Sequence, residues 1–403
     1  MERIIERTTE EGSYRVRPAP DGGGNRRVLI LWSHLPHYLA ACVRVLLSEY
    51  RAQVLLVVGR ADVQANHVPL GAFANFAYVD ISADGGSSEA ELIRRVRDFA
   101  PVIVIAGCPK WGVLTRIAKA AKTQGALVVR TVDHYWRGSW HDYASAVLCR
   151  CGLIYGFCDG VWVPGSLGRQ YARKLGFRDS RIFEGVYTCD SELFRAVGLQ
   201  RCGTEPRRAW PRVFLFVGQY IERKNLGTLL RAYSLYRDSV SRPWELWCAG
   251  RGPLKEQLQG RQGVRDCGYQ DATGCAELMS QAGAFVLPSW SDHWGVVIHE
   301  AACAGLPILA SRTCGATAHL VRDGYNGHSF APQDAERLRR LMQLVSDEEQ
   351  AAVMGQNSLK MSYQFDPKLW AEILLVHMPL CLNGRGAVEN PAARSPCARC
   401  TAG

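Results

Sequence analysis

The chain has 403 residues and a formal charge of +10, more than one hydrophobic core ordinarily organises, so two domains are expected. Apolar residues make up 47% and charged residues 21%, the balance of a globular enzyme, which excludes a low-complexity or fibrous chain. The positive charge is dispersed over RRVR (94–97), RQYARKLGFR (169–178), RRAWPR (207–212) and ERLRR (336–340); it suits phosphate-bearing ligands or an anionic membrane surface and argues against a nucleic-acid-binding arm.

Residues 1–25 are polar and carry a GGG at 22–24, which reads as a mobile tail without a signal peptide. RRVLILWSH (26–34) then forms an apolar strand, followed by a helix over 39–50 and a strand in AQVLLVVGR (52–60). The alternation continues with PVIVIAG (101–107), a helix around 113–124 and ALVVRTVDH (126–134). The segment 143–163 is apolar but interrupted by Arg150 and Asp159, so it reads as a core helix followed by a strand, not a membrane span.

A turn-rich stretch over 200–212 breaks the pattern, which then restarts. Strands are expected in VFLFVGQ (213–219), WELWCAG (244–250), AFVLPS (284–289) and PILAS (307–311), with helices over 225–238, 253–260 and 296–304. Continuous apolar strands alternating with helices imply parallel sheets covered on both faces, here two doubly wound units joined near residue 205. A last helix is expected over 366–380 and a disordered tail over 384–403.

The 15 cysteines are odd in number and irregularly spaced, and most sit in apolar segments, as reduced cysteines do. The pair Cys397 and Cys400 lacks a second pair to complete a zinc site, so no metal is expected. No strand runs into G-x-G-x-x-G, which disfavours a dinucleotide dehydrogenase.

In doubly wound sheets ligands bind beyond the carboxyl ends of the strands. His34 and His37, Asp133 and His134, Gly218 to Lys224, Gly250 to Pro253, and Ser291 to Gly295 all fall there. In SDHWGVVIHEAACAG (291–305) a loop leads into a helix ended by Gly305. Asp292 lies just before the helix, and Glu300 within it. A carboxylate at an anion-favouring helix start suits a hydroxyl-rich ligand such as a sugar, and Glu300 could accept hydrogen bonds from two vicinal ribose hydroxyls. The alternatives are that Asp292 caps the helix and that Glu300 faces solvent.

PSWSDHWGVVIHEAACAGLPILAS resembles the E-x7-E region of retaining GT-B glycosyltransferases of the family 4 type. FVGQYIERKNLGTLLRAY (216–233), LWCAGRGPLKEQL (246–258), VRDCGYQDATGCAELMSQAGAFVLPS (264–289) and DGYNGHSF (323–330) resemble further motifs of that family, and 159–194 resembles the end of its first domain. The resemblance covers most of 100–335 and is most specific in 213–330.

It implies a fold of two Rossmann-like domains facing across a cleft. An acceptor domain over 26–203 and a nucleotide-sugar domain over 204–365 would follow the tail at 1–25. A helix over 366–383 would pack back towards the first domain, before the tail at 384–403. Glu300 matches the carboxylate that holds the ribose, and Asp292 the one over the donor sugar. The backbone of His293, Trp294 and Gly295 matches the segment touching the sugar hydroxyls. Lys224 matches the lysine on the diphosphate, with Arg223 supplying the charge of an arginine replaced here by Gln219. Gly218, Gly250 and Gly252 belong to the donor-binding loops, and Gly268, Tyr269 and Gln270 to the region holding the base. Asp133 and His134 fall where the family has a histidine followed by an aspartate. Asp133 could instead cap a turn, and the aromatic run Tyr135, Trp136 and Trp140 with Arg137 suits either an acceptor face or core packing.

This chain departs from the family pattern in having Asp292 for glutamate and in lacking a Gly-Gly loop after the first strand. His34, His37 or a helix start near Leu39 would substitute for that loop. The implied function is metal-independent, retaining transfer of a hexose from a nucleotide sugar to a glycan or lipid-linked acceptor, without cofactor or nucleic acid. The implied place is cytoplasmic, peripheral at the inner face of an anionic membrane. A sugar epimerase or phosphorylase on the same plan, and a non-catalytic sugar-binding subunit, are the alternatives.

Overall fold

A computed structural model describes residues 26–58, 77–80, 88–107, 112–203 and 209–383. Both expected tails, the Cys397/Cys400 pair and the middle of the 200–212 break lie outside these residues.

The first sheet contains β1 (Arg27–Trp32), β2 (Gln53–Val58), β3 (Ala77–Asp80), β4 (Ile103–Gly107), β5 (Leu127–Thr131), β6 (Gly160–Val163) and β7 (Ile182–Glu184). Its order is β3-β2-β1-β4-β5-β6-β7, with every pairing parallel. The second sheet contains β8 (Val213–Val217), β9 (Glu245–Ala249), β10 (Val264–Gly268), β11 (Ala284–Leu287), β12 (Ile308–Ser311) and β13 (Gly327–Phe330). Its order is β10-β9-β8-β11-β12-β13, again parallel throughout. Central strands such as VLIL (28–31) and FLF (214–216) are fully buried because helices cover both faces, which is why they read as unbroken apolar runs. In each sheet the winding reverses beside the first strand, between β1 and β4 and between β8 and β11, and this opens a crevice at the carboxyl edge.

Several expected elements shift. The first helix starts at His37, not near Leu39, with Pro36 at its N-cap. The expected helix over 253–260 is a single 3-10 turn, Lys255–Leu258. The helix Trp140–Arg150 is not a core helix: it buries only Ala146 and leaves Trp140, Tyr143 and Val147 exposed.

The chain crosses between the two halves twice. Although it precedes residue 204, the helix Ser191–Gly203 packs on the second core through Phe194, and Arg201 donates to the Ala304, Ala282 and Met279 carbonyls. The second crossing runs through 362–366. After it Trp370, Ala371, Leu374 and Met378 join the core of the first sheet. The Trp370 indole N–H donates to the Val186 carbonyl at 3.0 Å, and its ring lies 4.7 Å from that of Trp162. The two crossings are laced together: Thr188 donates to the Phe365 carbonyl, Ser191 to Asp366 at 3.2 Å, and Arg195 to Asp366 at 2.9 Å.

Candidate active site in the interdomain cleft

The loops after β8 and β11 meet because these strands are parallel neighbours, so their carboxyl ends share one edge. After β8 the chain makes a 3-10 turn over Glu222–Lys224, and Asn225 enters the left-handed region (φ 58°). The Asn225 side-chain amide donates to the carbonyls of Pro288 (3.0 Å) and Pro332 (2.7 Å). That pins the turn against the β11 loop. The Trp290 amide donates to the Arg223 carbonyl at 2.9 Å, and the Arg223 guanidinium to the Ser291 carbonyl at 3.1 Å.

This docking places Lys224, largely buried, against Asp292: the ammonium donates to the carboxylate, and the Arg223 guanidinium lies 3.5 Å from the other carboxylate oxygen. Asp292 does not cap the following helix, whose N-cap is Gly295 (φ 85°). Its own backbone is fixed instead, with its amide donating to the Thr313 carbonyl and its carbonyl accepting from the Gly315 amide. The Trp294 side chain packs inward against His319 and Phe365, away from the cleft, and its carbonyl accepts from the Ala316 amide at 2.8 Å.

Glu300 occupies the helix Val296–Cys303, about 6 Å along its axis from the first residue. Its side chain is half-buried. Burial pushes its carboxyl up to about 7, against the lowering influence of His299 and with further upward contributions from Cys303 and Asp190. A carboxylate held at that cost is one that gains from hydroxyl donors.

The glycines after β8, β9 and β10 form the adjoining rim. The Gly218 amide donates to the Ala249 carbonyl (2.9 Å) and the Gly250 amide to the Gly268 carbonyl (2.8 Å). A side chain on Gly250 would sit 1.9 Å from the Gly218 carbonyl oxygen, and one on Gly252 (φ 151°) 2.4 Å from that of Tyr220. Asp266 receives the Gly268 amide at 2.9 Å and Lys255 at 3.3 Å, and the Tyr220 hydroxyl lies 2.8 Å away. Tyr269 is half-exposed with the Arg251 guanidinium over its ring at 4.9 Å, while Gln270 donates to the Cys267 carbonyl. This gives a flat cationic-aromatic surface at the outer end of the rim.

Facing this from the first sheet is a cavity of about 340 Å³ at the β1/β4 crevice. Its lining includes Trp32, His34, Tyr38, Arg130, Asp133 and His134. Asp133 accepts from the Tyr187 hydroxyl at 2.9 Å. Burial, with Tyr38 and Asp133 nearby, holds that hydroxyl well above its ordinary range, so it stays a donor. The His134 ring lies 5.4 Å and the Tyr135 ring 5.7 Å from His293, across the gap between the halves. Burial lowers the His293 pKa, so the ring is held towards its neutral form. The aromatic run divides: Tyr135 faces the cleft under Arg137 (4.8 Å), Trp136 packs on Tyr143 and Tyr171, and Trp140 is outside.

The cleft thus brings Lys224, Arg223, Asp292 and His293 of the second half opposite Asp133 and His134 of the first. Glu300 and the Gly218/Gly250/Gly268 rim belong to the same carboxyl edge. Reading the sequence missed Tyr187, Asn225, Asp266 and His319. The His319 Nε2 accepts from the Ser166 amide of the first half at 3.0 Å. Tyr187 and His319 act through partners distant in sequence with no local motif to mark them. Asn225 directly follows Lys224 in the 216–233 segment, so its position, though not its contacts, lay within a motif.

Comparison with known proteins bears on the fold and the family likeness. Residues 205–361 match the family described as "Glycosyl transferases group 1". The chain is 28% identical over 265 residues to a glycogen synthase of Mycobacterium tuberculosis, covering 58% of this chain and 62% of that protein. It is 31% identical over 158 residues to a phosphatidyl-myo-inositol mannosyltransferase of Mycobacterium leprae, covering 36% and 41%. The chain therefore spans less than two thirds of the length of these relatives. The Anabaena HepE structure in complex with UDP and glucose superposes with a TM-score of 0.62 at 16% identity, covering 87% of this chain and 98% of that one. WaaG, described as a glycosyltransferase involved in lipopolysaccharide biosynthesis, superposes with a TM-score of 0.58, also at 16% identity, covering 87% and 100%. The architecture is the GT-B fold.

Proposed function

We propose that this chain is a glycosyltransferase that moves a hexose from a nucleotide-sugar donor to a glycan or lipid-linked acceptor, with retention at the anomeric carbon. The observation that carries the reading is the Lys224–Arg223–Asp292 cluster at the β8/β11 crevice, facing the Asp133–His134 cavity across the cleft.

Departure of a nucleoside diphosphate leaves negative charge on phosphate and positive charge on the sugar ring. Lys224 and Arg223 meet the first charge, and a fixed cation or hydrogen-bond donor at such a place contributes about 3 kcal/mol to lowering the barrier. Asp292 orients the ammonium and accepts from sugar hydroxyls. Glu300 accepts from the ribose, and Tyr269 with Arg251 offers the base a stacking face. The acceptor enters from the Asp133–His134 cavity on the face the diphosphate leaves, and the departing phosphate takes its proton. A double displacement would need a carboxylate nucleophile free to reach the anomeric carbon. Asp133 is oriented by Tyr187 and Asp292 by Lys224, which favours the one-face route over either acting as a nucleophile. The lysine and arginine take the charge-neutralising part, so the reaction needs no added divalent ion.

The relatives' names point to polysaccharide and glycolipid acceptors. No helix among the described residues is long and apolar enough to cross a membrane. The exposed Trp140, Tyr143 and Val147, one stripe on a helix ending in Arg150, fit a peripheral contact with an anionic lipid surface at the cytoplasmic face.

The test is a panel of nucleotide sugars, scored for protection against thermal unfolding and for diphosphate release with and without lipid-linked acceptors, with and without Mg²⁺. One donor should protect and turn over at a rate Mg²⁺ does not change. A panel in which none protects and none turns over rejects the proposal.

A further inference from the structure

Behind the helix that carries Glu300 lies a second cluster that the transfer chemistry does not use. Cys189, His299 and Cys303 are fully buried. Both sulfurs and a ring nitrogen of His299 lie within 4.8 Å of one another, and the sulfurs are 3.7 Å apart. His299 and Cys303, four residues apart, share one face of the helix Val296–Cys303, while Cys189 comes from the first crossing between the halves.

Two features separate this cluster from ordinary packing of small thiols. The His299 Nε2 lies 2.8 Å from the Ser362 carbonyl, so it carries the proton and donates. That leaves the Nδ1 lone pair buried beside two thiols, facing Cys303 without a well-formed hydrogen bond. A metal-bound histidine shows this pattern, one nitrogen on the ion and the other donating to a backbone carbonyl that fixes the tautomer. The sulfur spacing also fits: with metal–sulfur bonds near 2.3 Å, the edge of a zinc tetrahedron is about 3.8 Å.

We propose that Cys189, His299 and Cys303 bind a thiophilic cation, Zn²⁺, at the hinge, three protein ligands that leave the fourth tetrahedral position to a donor other than these side chains. Two thiolates neutralise the ion, and the histidine Nδ1 is the third ligand. Cys189 belongs to the first crossing, Ser362 to the second, and His299 and Cys303 to the donor-side helix. The ion therefore ties both crossings to the element that positions Glu300. Because its ligands are buried, the site is filled as the chain folds, and the metal contributes to folding stability. The proposal does not depend on the transferase reading.

The test is the metal content of the full chain, purified under reducing conditions without chelator and measured by mass spectrometry. About one zinc per chain is expected, retained when Cys397 and Cys400 are both changed to serine, and lost in Cys303→Ser and in His299→Ala. Unfolding and refolding with Co²⁺ should give a thiolate-to-cobalt charge-transfer band that Cys189→Ala removes. The wild-type measurement decides the matter even if a variant fails to fold. Metal-free protein with no cobalt band on refolding overturns the proposal. So does zinc that leaves with the Cys397/Cys400 pair, or a Cys189–Cys303 disulfide in the freshly purified chain.

Discussion

Lys224 and Asp292 are 68 residues apart in sequence, yet the lysine ammonium donates to the aspartate carboxylate between two loops of the same sheet edge. Both side chains are nearly buried, 11% and 13% exposed, so neither charge is satisfied by water. The pair holds a cation ready where a diphosphate would arrive. Lys224→Met should lower turnover by about 10²- to 10³-fold, the usual loss when one fixed donor on developing charge is removed. Donor affinity should change far less. Breaking a buried pair costs about 3–5 kcal/mol of stability, and Arg223 at 3.5 Å still faces Asp292, so the loss should fall at or below the lower end. Steady-state kinetics with urea unfolding of the same variant checks both statements.

Glu300 has a different task and so a different signature. Burial disfavours its charge and lifts its carboxyl to about 7, so hydroxyls that donate to it are what would hold it ionised. Hydrogen bonds to a charged group contribute about 1.5–3 kcal/mol each, so Glu300→Gln should weaken nucleoside diphosphate binding by about 10- to 100-fold. Titration calorimetry with the free diphosphate measures this without any acceptor. Binding unchanged in Glu300→Gln would place the ribose elsewhere.

Much of this was legible in the amino-acid order because buried parallel strands have a plain signature. VLIL at 28–31 and FLF at 214–216 announce themselves through their apolar runs. β10, VRDCG, does not, since it is an edge strand with exposed and half-buried positions. The helix Trp140–Arg150 misled for the opposite reason: its Trp, Tyr and Val resemble core residues but lie on the outside. Within the site, the loop and helix around Asp292 and Glu300 follow from local sequence. The contacts of Asp133 with Tyr187 and of Ser166 with His319 do not, because they depend on how distant segments dock. Cys189 and Cys303 are separated by 114 residues, and no metal-ligand spacing betrays them.

Gly250 is where the rim of the donor site tolerates least. A Cβ there would lie 1.9 Å from the Gly218 carbonyl oxygen and 2.9 Å from the Tyr220 ring. The carbonyl belongs to the adjoining strand end and cannot turn aside, so β8 and β9 must part at their carboxyl ends. Gly250→Ala should cost about 1–3 kcal/mol in urea unfolding and weaken nucleotide binding with it. Gly227, exposed in the helix Leu226–Ser239 with nothing near its missing Cβ, is the control. Gly227→Ala should be neutral or stabilising by up to about 1 kcal/mol.

The contact between His319 and Ser166 makes the junction of the two halves sensitive to acid. Nε2 of His319 accepts from the Ser166 amide, which requires that nitrogen to be unprotonated. Trp294 and Phe365 pack around the ring; its burial lowers the pKa below 6.5, with Glu184 acting in the opposite direction. The unfolded chain therefore binds the proton more readily than the folded one. The stabilising contribution is fully present above pH 6.5 and is lost as pH falls through the lowered folded value. Burial lowers His293 and His328 as well, and they add to the same slope. Glutamine places an amide oxygen where Nε2 lies but does not titrate. His319→Gln should therefore match the wild type near pH 7.5 and fall less steeply towards pH 5.5, keeping the background of the other titrating groups. In that background His293 and His328 are opposed by Glu300, whose raised carboxyl takes up its proton more readily in the folded chain. Urea midpoints of both proteins across that range measure the difference, and identical slopes would mean that the Ser166 contact does not govern the acid response.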